Sequence, residues 1–195
     1  MRPLATLCLC WLLLAWGCTS TTSSRFYTLS AAGTPAAASA SDVSVAVGPV
    51  TIPAQVDRPQ IVTSNGPNQV RLDEFNRWAA PLQNNIARAV VENLVALLGT
   101  PYVTLYPQTL SADAQYRVAI EVQDFASAPG EYGAVDAVWT VRRMKDGETR
   151  SGRTTAREPV QEKGYDPLVA AHSRAVSHLS RDIAQALRDL NQSSQ

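Results

Sequence analysis

The sequence predicts a single α+β domain in which two helices cover one face of a largely antiparallel sheet. Three observations carry this. Apolar residues, mostly valines, alternate with small or polar ones around 43–50 and 116–122, the period-two pattern of half-buried strands. Apolar residues recur every three or four positions over 82–98 and 168–190, the stripe of a helix with one buried face. The segments follow the order strands, helix, strands, helix, with no internal repeat.

Taken in order, Phe26-Tyr27-Thr28-Leu29 is a short β-type run, and the Ala/Ser/Gly/Pro-rich stretch 30–41 reads as a flexible linker. The domain itself is expected over 42–191, opening with a strand from Val43 to Ile52. Ile61-Val62-Thr63 and Val70-Arg71-Leu72 flank Asn65-Gly66-Pro67-Asn68, a hairpin whose turn residues tolerate positive φ. Pro81 suits the first turn of a helix, and Gly99 supplies its stop. Tyr102–Tyr106 and Tyr116–Gln123 are further strands. Val135–Met144 should pair with 149–157 across the Asp146-Gly147 turn. Asp166-Pro167 marks the start of the last helix, whose stripe is Leu168, Val176, Leu179, Ile183, Leu187 and Leu190.

The N-terminus bears on location. Leu4 to Ala15 is a nearly unbroken run of twelve apolar residues after Arg2. At about 1.5 Å per residue it spans roughly 18 Å, short of the ~30 Å hydrocarbon core. Residues 1–17 therefore read as a secretory signal peptide. Leu14-Ala15-Trp16-Gly17-Cys18 resembles a bacterial lipobox, with Cys18 as the acylated new N-terminus. Ala15-Trp16-Gly17 also has the small-x-small form of ordinary signal-peptidase cleavage, so both readings stand. The cysteine arithmetic favours lipidation. Cys8 and Cys10 fall inside the signal, and an exported chain retaining Cys18 alone cannot form an internal disulfide. No Asp follows Cys18, which points to the outer membrane, and 18–41 would then be a lipidated tether with one short strand.

Composition excludes several classes. The chain has 195 residues, 17 Lys+Arg, 17 Asp+Glu and 45% hydrophobic residues, enough for one packed domain. Its net charge is zero, so no bulk basic excess draws it to nucleic acid. Both histidines lie in the last helix, His172 within the apolar stripe and His178 on the other side, where they cannot converge. Neither a zinc site nor a cofactor is expected. Glu121 and Asp124 are expected on opposite faces of their strand, and Asp73-Glu74 read as surface charge. Ser173 shares a helix with His178 but has no recognisable oxyanion device. No phosphate loop or nucleophile elbow occurs, so catalysis has no candidate constellation.

Arg142, Arg143, Arg150, Arg153 and Arg157 cluster in the C-terminal hairpin against Asp146, Glu148 and Glu158. One reading is a solvated outer face with cross-strand ion pairs. The other is a docking face for an acidic partner or lipid head group, carried by Arg142, Arg150, Arg153 and Arg157.

Four segments together carry a family resemblance. They are Tyr27-Thr28-Leu29 after Cys18, Ile52-Pro53 through Arg58-Pro59-Gln60-Ile61-Val62, Trp78-Ala79-Ala80-Pro81-Leu82 opening a helix, and Gly164-Tyr165-Asp166 opening the last one. The Val122-Gln123-Asp124-Phe125 strand end before Gly130 fits as well. In this the chain resembles the ABC-type transport auxiliary lipoproteins of the PqiC-like kind, from Cys18 to about Leu190. The resemblance implies a non-enzymatic periplasmic domain held at the outer membrane by acyl chains, supporting envelope integrity. It implies an MCE-domain partner of the PqiB type, inner-membrane transport components, lipid trafficking between membranes, and a homo-oligomeric ring. Two rival expectations are a periplasmic regulator or scaffold of a cell-wall synthesis enzyme, and a hydrolase whose site goes unrecognised.

Overall fold

The computed structural model describes residues 23–32 and 42–193, so the signal segment, Cys18 and most of the expected tether lie outside the described residues. The elements run β1 (Arg25–Tyr27), β2 (Val45–Thr51), β3 (Gln60–Ser64), β4 (Val70–Trp78), α1 (Leu82–Leu98) and β5 (Val103–Leu105). A 3-10 turn at Thr109–Ser111 precedes β6 (Tyr116–Ala128), β7 (Tyr132–Arg143), β8 (Thr149–Pro159) and α2 (Tyr165–Gln192).

The α+β class holds, and the strands divide into two sheets: three strands in the order β1-β4-β3 and five in the order β5-β2-β6-β7-β8. Antiparallel pairing dominates through the long β6–β7–β8 meander and the β3–β4 hairpin. The other half is parallel, because β2 lies between β5 and β6, and β1 runs alongside β4. Parallel neighbours require long crossovers, and here α1 and the β3–β4 hairpin fill the connections.

Both helices cover one face of the five-stranded sheet. Leu82, Ile86, Val90 and Leu94 of α1, with Leu168, Val176, Leu179, Ile183 and Leu187 of α2, are buried against Val118, Ile120, Val135, Ala137 and Val141. Burying each such side chain contributes about 1.5–3 kcal/mol, which is what fixes the helices to this face. Pro81 precedes α1, and Gly99 ends it at φ 65°, the left-handed conformation that favours glycine. At the far end, Arg143 is buried under the last turn of α2, donating to the Leu190 carbonyl at 2.6 Å. The same guanidinium pairs with Asp146 and Glu148, and holds the Asp146 carboxyl down at about 2.

The short N-terminal strand is packed into the domain. Tyr27 and Leu29 are core residues. Beyond them, Ser30 N–H donates to Ser173 Oγ on α2, and Ala32 N–H donates to Asn93 Oδ1 on α1. Tyr165 at the start of α2 donates to Asp73 of β4 at 2.8 Å and packs against the Tyr27 ring, locking the small sheet to the helical layer. Burial and the Asp73 contact push the Tyr165 phenol up to about 12.

Candidate functional site

The face of the five-stranded sheet away from the helices is open, and most of the candidate docking residues converge on it. Register places Arg142 beside Arg117 and Thr149, Val138 beside Arg153, Asp136 beside Thr155, and Ala134 beside Arg157. By strand alternation Arg142, Arg153 and Arg157 therefore share this face. Arg150 does not. It pairs with Val141, a residue buried under the helices, and projects from the sheet end near Glu148 at 4.0 Å.

Arg153 and Arg157 are already engaged. Arg153 grips Asp136 in a two-pronged contact of 2.8 and 2.5 Å, which lowers the Asp136 pKa, and Thr155 adds a hydrogen bond to the same carboxylate. Arg157 lies over the Tyr132 ring at 3.5 Å, and Arg117 over Tyr106 at 4.1 Å. The face carries cross-strand pairing and retains exposed guanidinium edges on β8.

One expectation is overturned here. Glu121 and Asp124 do not lie on opposite faces. The β6–β7 register shifts between Val122 and Asp124, so Glu121 faces Val138 while Asp124 faces Asp136, and both carboxylates point to the open side. The cause is a bulge at Gln123, which inserts one residue and reverses the alternation downstream. Both groups are exposed on a flat face, and Gln123 donates to Glu121 at 2.8 Å. Together with Asp136 they make the open face mixed in charge.

The histidines separate as their helical positions predict. His178 is half-buried and bonds Glu158 at 2.8 Å beside Arg174. His172 is wholly buried, stacked on Phe125 at 4.0 Å, with Nε2 at 2.8 Å from Ser127 Oγ. This Ser–His contact was not legible in the sequence, because the two residues are 45 positions apart and the bulge at Gln123 decides which way Ser127 points. Nδ1 has no hydrogen-bond partner among the described residues, so no carboxylate orients the ring as a catalytic dyad needs. Gly133 backs the ring closely, since a Cβ there would sit 3.2 Å from His172 Cγ and 3.1 Å from its backbone nitrogen.

Burial pushes His172 down to about 3 from 6.5. The unfolded chain then binds a proton near pH 6.5 that the folded one refuses until about 3, so stability falls as pH falls through that interval. We expect a loss of roughly 2–3 kcal/mol between pH 6.5 and about 4.5, at up to ~1.4 kcal/mol per unit. Urea unfolding across that range should show the slope, and His172→Leu should flatten it. An unchanged slope in the variant would place the acid sensitivity elsewhere.

A groove of about 550 Å³ lies between the start of α1 and the ends of β2 and β5, beside Asn84, Arg88, Pro49 and Tyr106. Its cation, Arg88, is turned onto Thr28 and Asn85. Among the described residues no group of three or more His, Cys, Asp and Glu could hold a metal, and no helix is long and apolar enough to cross a membrane.

Residues 27–184 match the family model described as ABC-type transport auxiliary lipoprotein component, which spans both sheets and most of α2. The chain belongs to that family. Two solved structures share the fold. A crystal structure of an uncharacterized protein is 19% identical with a TM-score of 0.69, covering 85% of this chain and 99% of that one. Protein XCC0632 from Xanthomonas campestris, of the family model DUF330, is 17% identical with a TM-score of 0.68, covering 88% and 100%. No curated protein matches the chain. Membership in the auxiliary lipoprotein family associates this domain with a transport system and with a lipid-anchored class of proteins.

Proposed function

We propose that this auxiliary lipoprotein is a non-catalytic outer-membrane subunit of an MCE-type intermembrane lipid transport system. Acyl chains on Cys18 hold the domain at the outer membrane facing the periplasm. There it docks an MCE-domain protein of the PqiB type, which connects to inner-membrane transport components, and copies of the chain assemble as a ring. The family match over 27–184, on a chain whose Cys18 follows an export-type segment, carries this reading. Thr19 in the position after Cys18 supports outer-membrane placement. The absence of catalytic work fits the Ser127–His172 pair, which is enclosed and has no partner on Nδ1 among the described residues.

On this reading the exposed edge of β8 meets the acidic or polar surface of the partner. Charge reversal at both Arg153 and Arg157 should strongly weaken capture of the MCE-domain protein in a pull-down. It should leave the melting temperature nearly unchanged, because exposed ion pairs are worth little. Undiminished capture would remove β8 from the docking surface.

A further inference from the structure

We propose that the outward side of the small sheet, around Phe26 and Phe75, rests on the phospholipid surface to which Cys18 is anchored. The contact deepens the lipid-anchor reading above and rests on it. Tyr27 and Trp78 are in register and both turned into the core, with Tyr27 Oη donating to Asn76 at 2.9 Å. Alternation then turns Phe26 and its register partner Arg77 to the outside, and Phe75, in the stretch where β4 bulges away from its β3 partner, is exposed as well. Phe26 is 63% and Phe75 46% exposed, and β1 is the edge of its sheet. Large exposed aromatics on neighbouring strands call for an apolar occupant.

The length of the chain back to Cys18 identifies the occupant. Arg25 begins β1 only seven residues after Cys18. At 3.3–3.6 Å per residue that connection reaches at most about 25 Å. A domain of this size is about 40 Å across, from a radius of gyration near 15 Å. The pole of the domain carrying β1 is thus kept at the bilayer, while the far pole is beyond the reach of the tether. Arg77 shares the outward side with Phe26 and suits a phosphate group, while Gln60 donates to the neighbouring Glu74. The attraction is chiefly apolar, since the chain has no bulk positive charge.

Tryptophan reporters test this in the full-length acylated protein, reconstituted into phosphatidylethanolamine/phosphatidylglycerol vesicles with brominated acyl chains. After cleavage before Cys18 the native tryptophans are Trp78 and Trp139, both buried. Phe26→Trp and Phe75→Trp add an exposed reporter each. Tyr102→Trp adds a control, 57% exposed and at the other end of α1, about 25 Å away. The proposal expects the added emission at positions 26 and 75 to be blue-shifted and mostly lost to bromine, with that at 102 unaffected. Unquenched reporters at 26 and 75 on protein whose mass includes the acyl chains would overturn the contact and leave the anchor standing. Equal quenching at all three positions would overturn it too, as would a blue shift without quenching, which assigns the rings to a second copy. A mass lacking acyl chains would remove the anchor and the contact together.

Discussion

Gly152→Ala should lower the melting temperature by roughly 6–12 °C. Gly152 sits on β8 directly opposite Trp139, whose indole lies flat across it, so a Cβ there would approach Trp139 Cζ2 to 2.3 Å. The backbone of Gly152 is ordinary strand, so the penalty comes from space alone. Trp139 cannot step aside freely. It is buried, and its Nε1 donates at 3.0 Å to Thr154, whose hydroxyl donates in turn to Asp182 on α2. Displacing the ring combines overpacking, typically 1–3 kcal/mol, with the loss of a buried hydrogen bond of about 1 kcal/mol. A total of about 3 kcal/mol, at 2–4 °C per kcal/mol for a domain this size, sets the expected range. Differential scanning calorimetry measures it. A shift under 2 °C would mean that the β7–β8 pair opens easily and that the Trp139 packing is not what fixes α2 over β8.

Cys18→Ala should move the protein from the membrane fraction to the periplasmic fraction almost completely. A diacylglycerol and an N-acyl chain bury dozens of methylenes at ~0.8 kcal/mol each, an effectively permanent anchor. The contact of Phe26 and Phe75 alone is far too small to replace it. Fractionation after a high-salt wash, with mass determination of the mature chain, separates the outcomes. If the variant stays with membranes, acylation is not what holds the protein there, and ordinary signal-peptidase cleavage becomes the better reading of Ala15-Trp16-Gly17.

The elements whose pattern is local were legible in the sequence. The stripe of α1 from Leu82 to Leu98 and the hairpin around Asn65-Gly66 are set by contacts a few residues apart, and both stand where the periodicity puts them. What escaped is set by distant neighbours. Nothing near Arg25 shows that β1 runs parallel to β4, because the partner lies about fifty residues on. The bulge at Gln123 leaves no mark in a sequence that alternates cleanly up to that point, yet it moves Asp124 to the side of Glu121 and points Ser127 at His172. Among the arginines, the shared face of Arg142, Arg153 and Arg157 follows from strand period. The turning of Arg150 to the other side follows from the same period, once the Asp146-Gly147 turn fixes the register. The ion pair to Asp136 lies on a third position that the clustering of arginines does not reveal.

Chemical cross-linking of the full-length protein in its own cells, followed by affinity purification and mass spectrometry, tests the central claim most directly. Recovery of an MCE-domain protein is expected, with links that map to β8 and the open face of the large sheet. Recovery of a cell-wall synthase, with no MCE-domain protein, would contradict it.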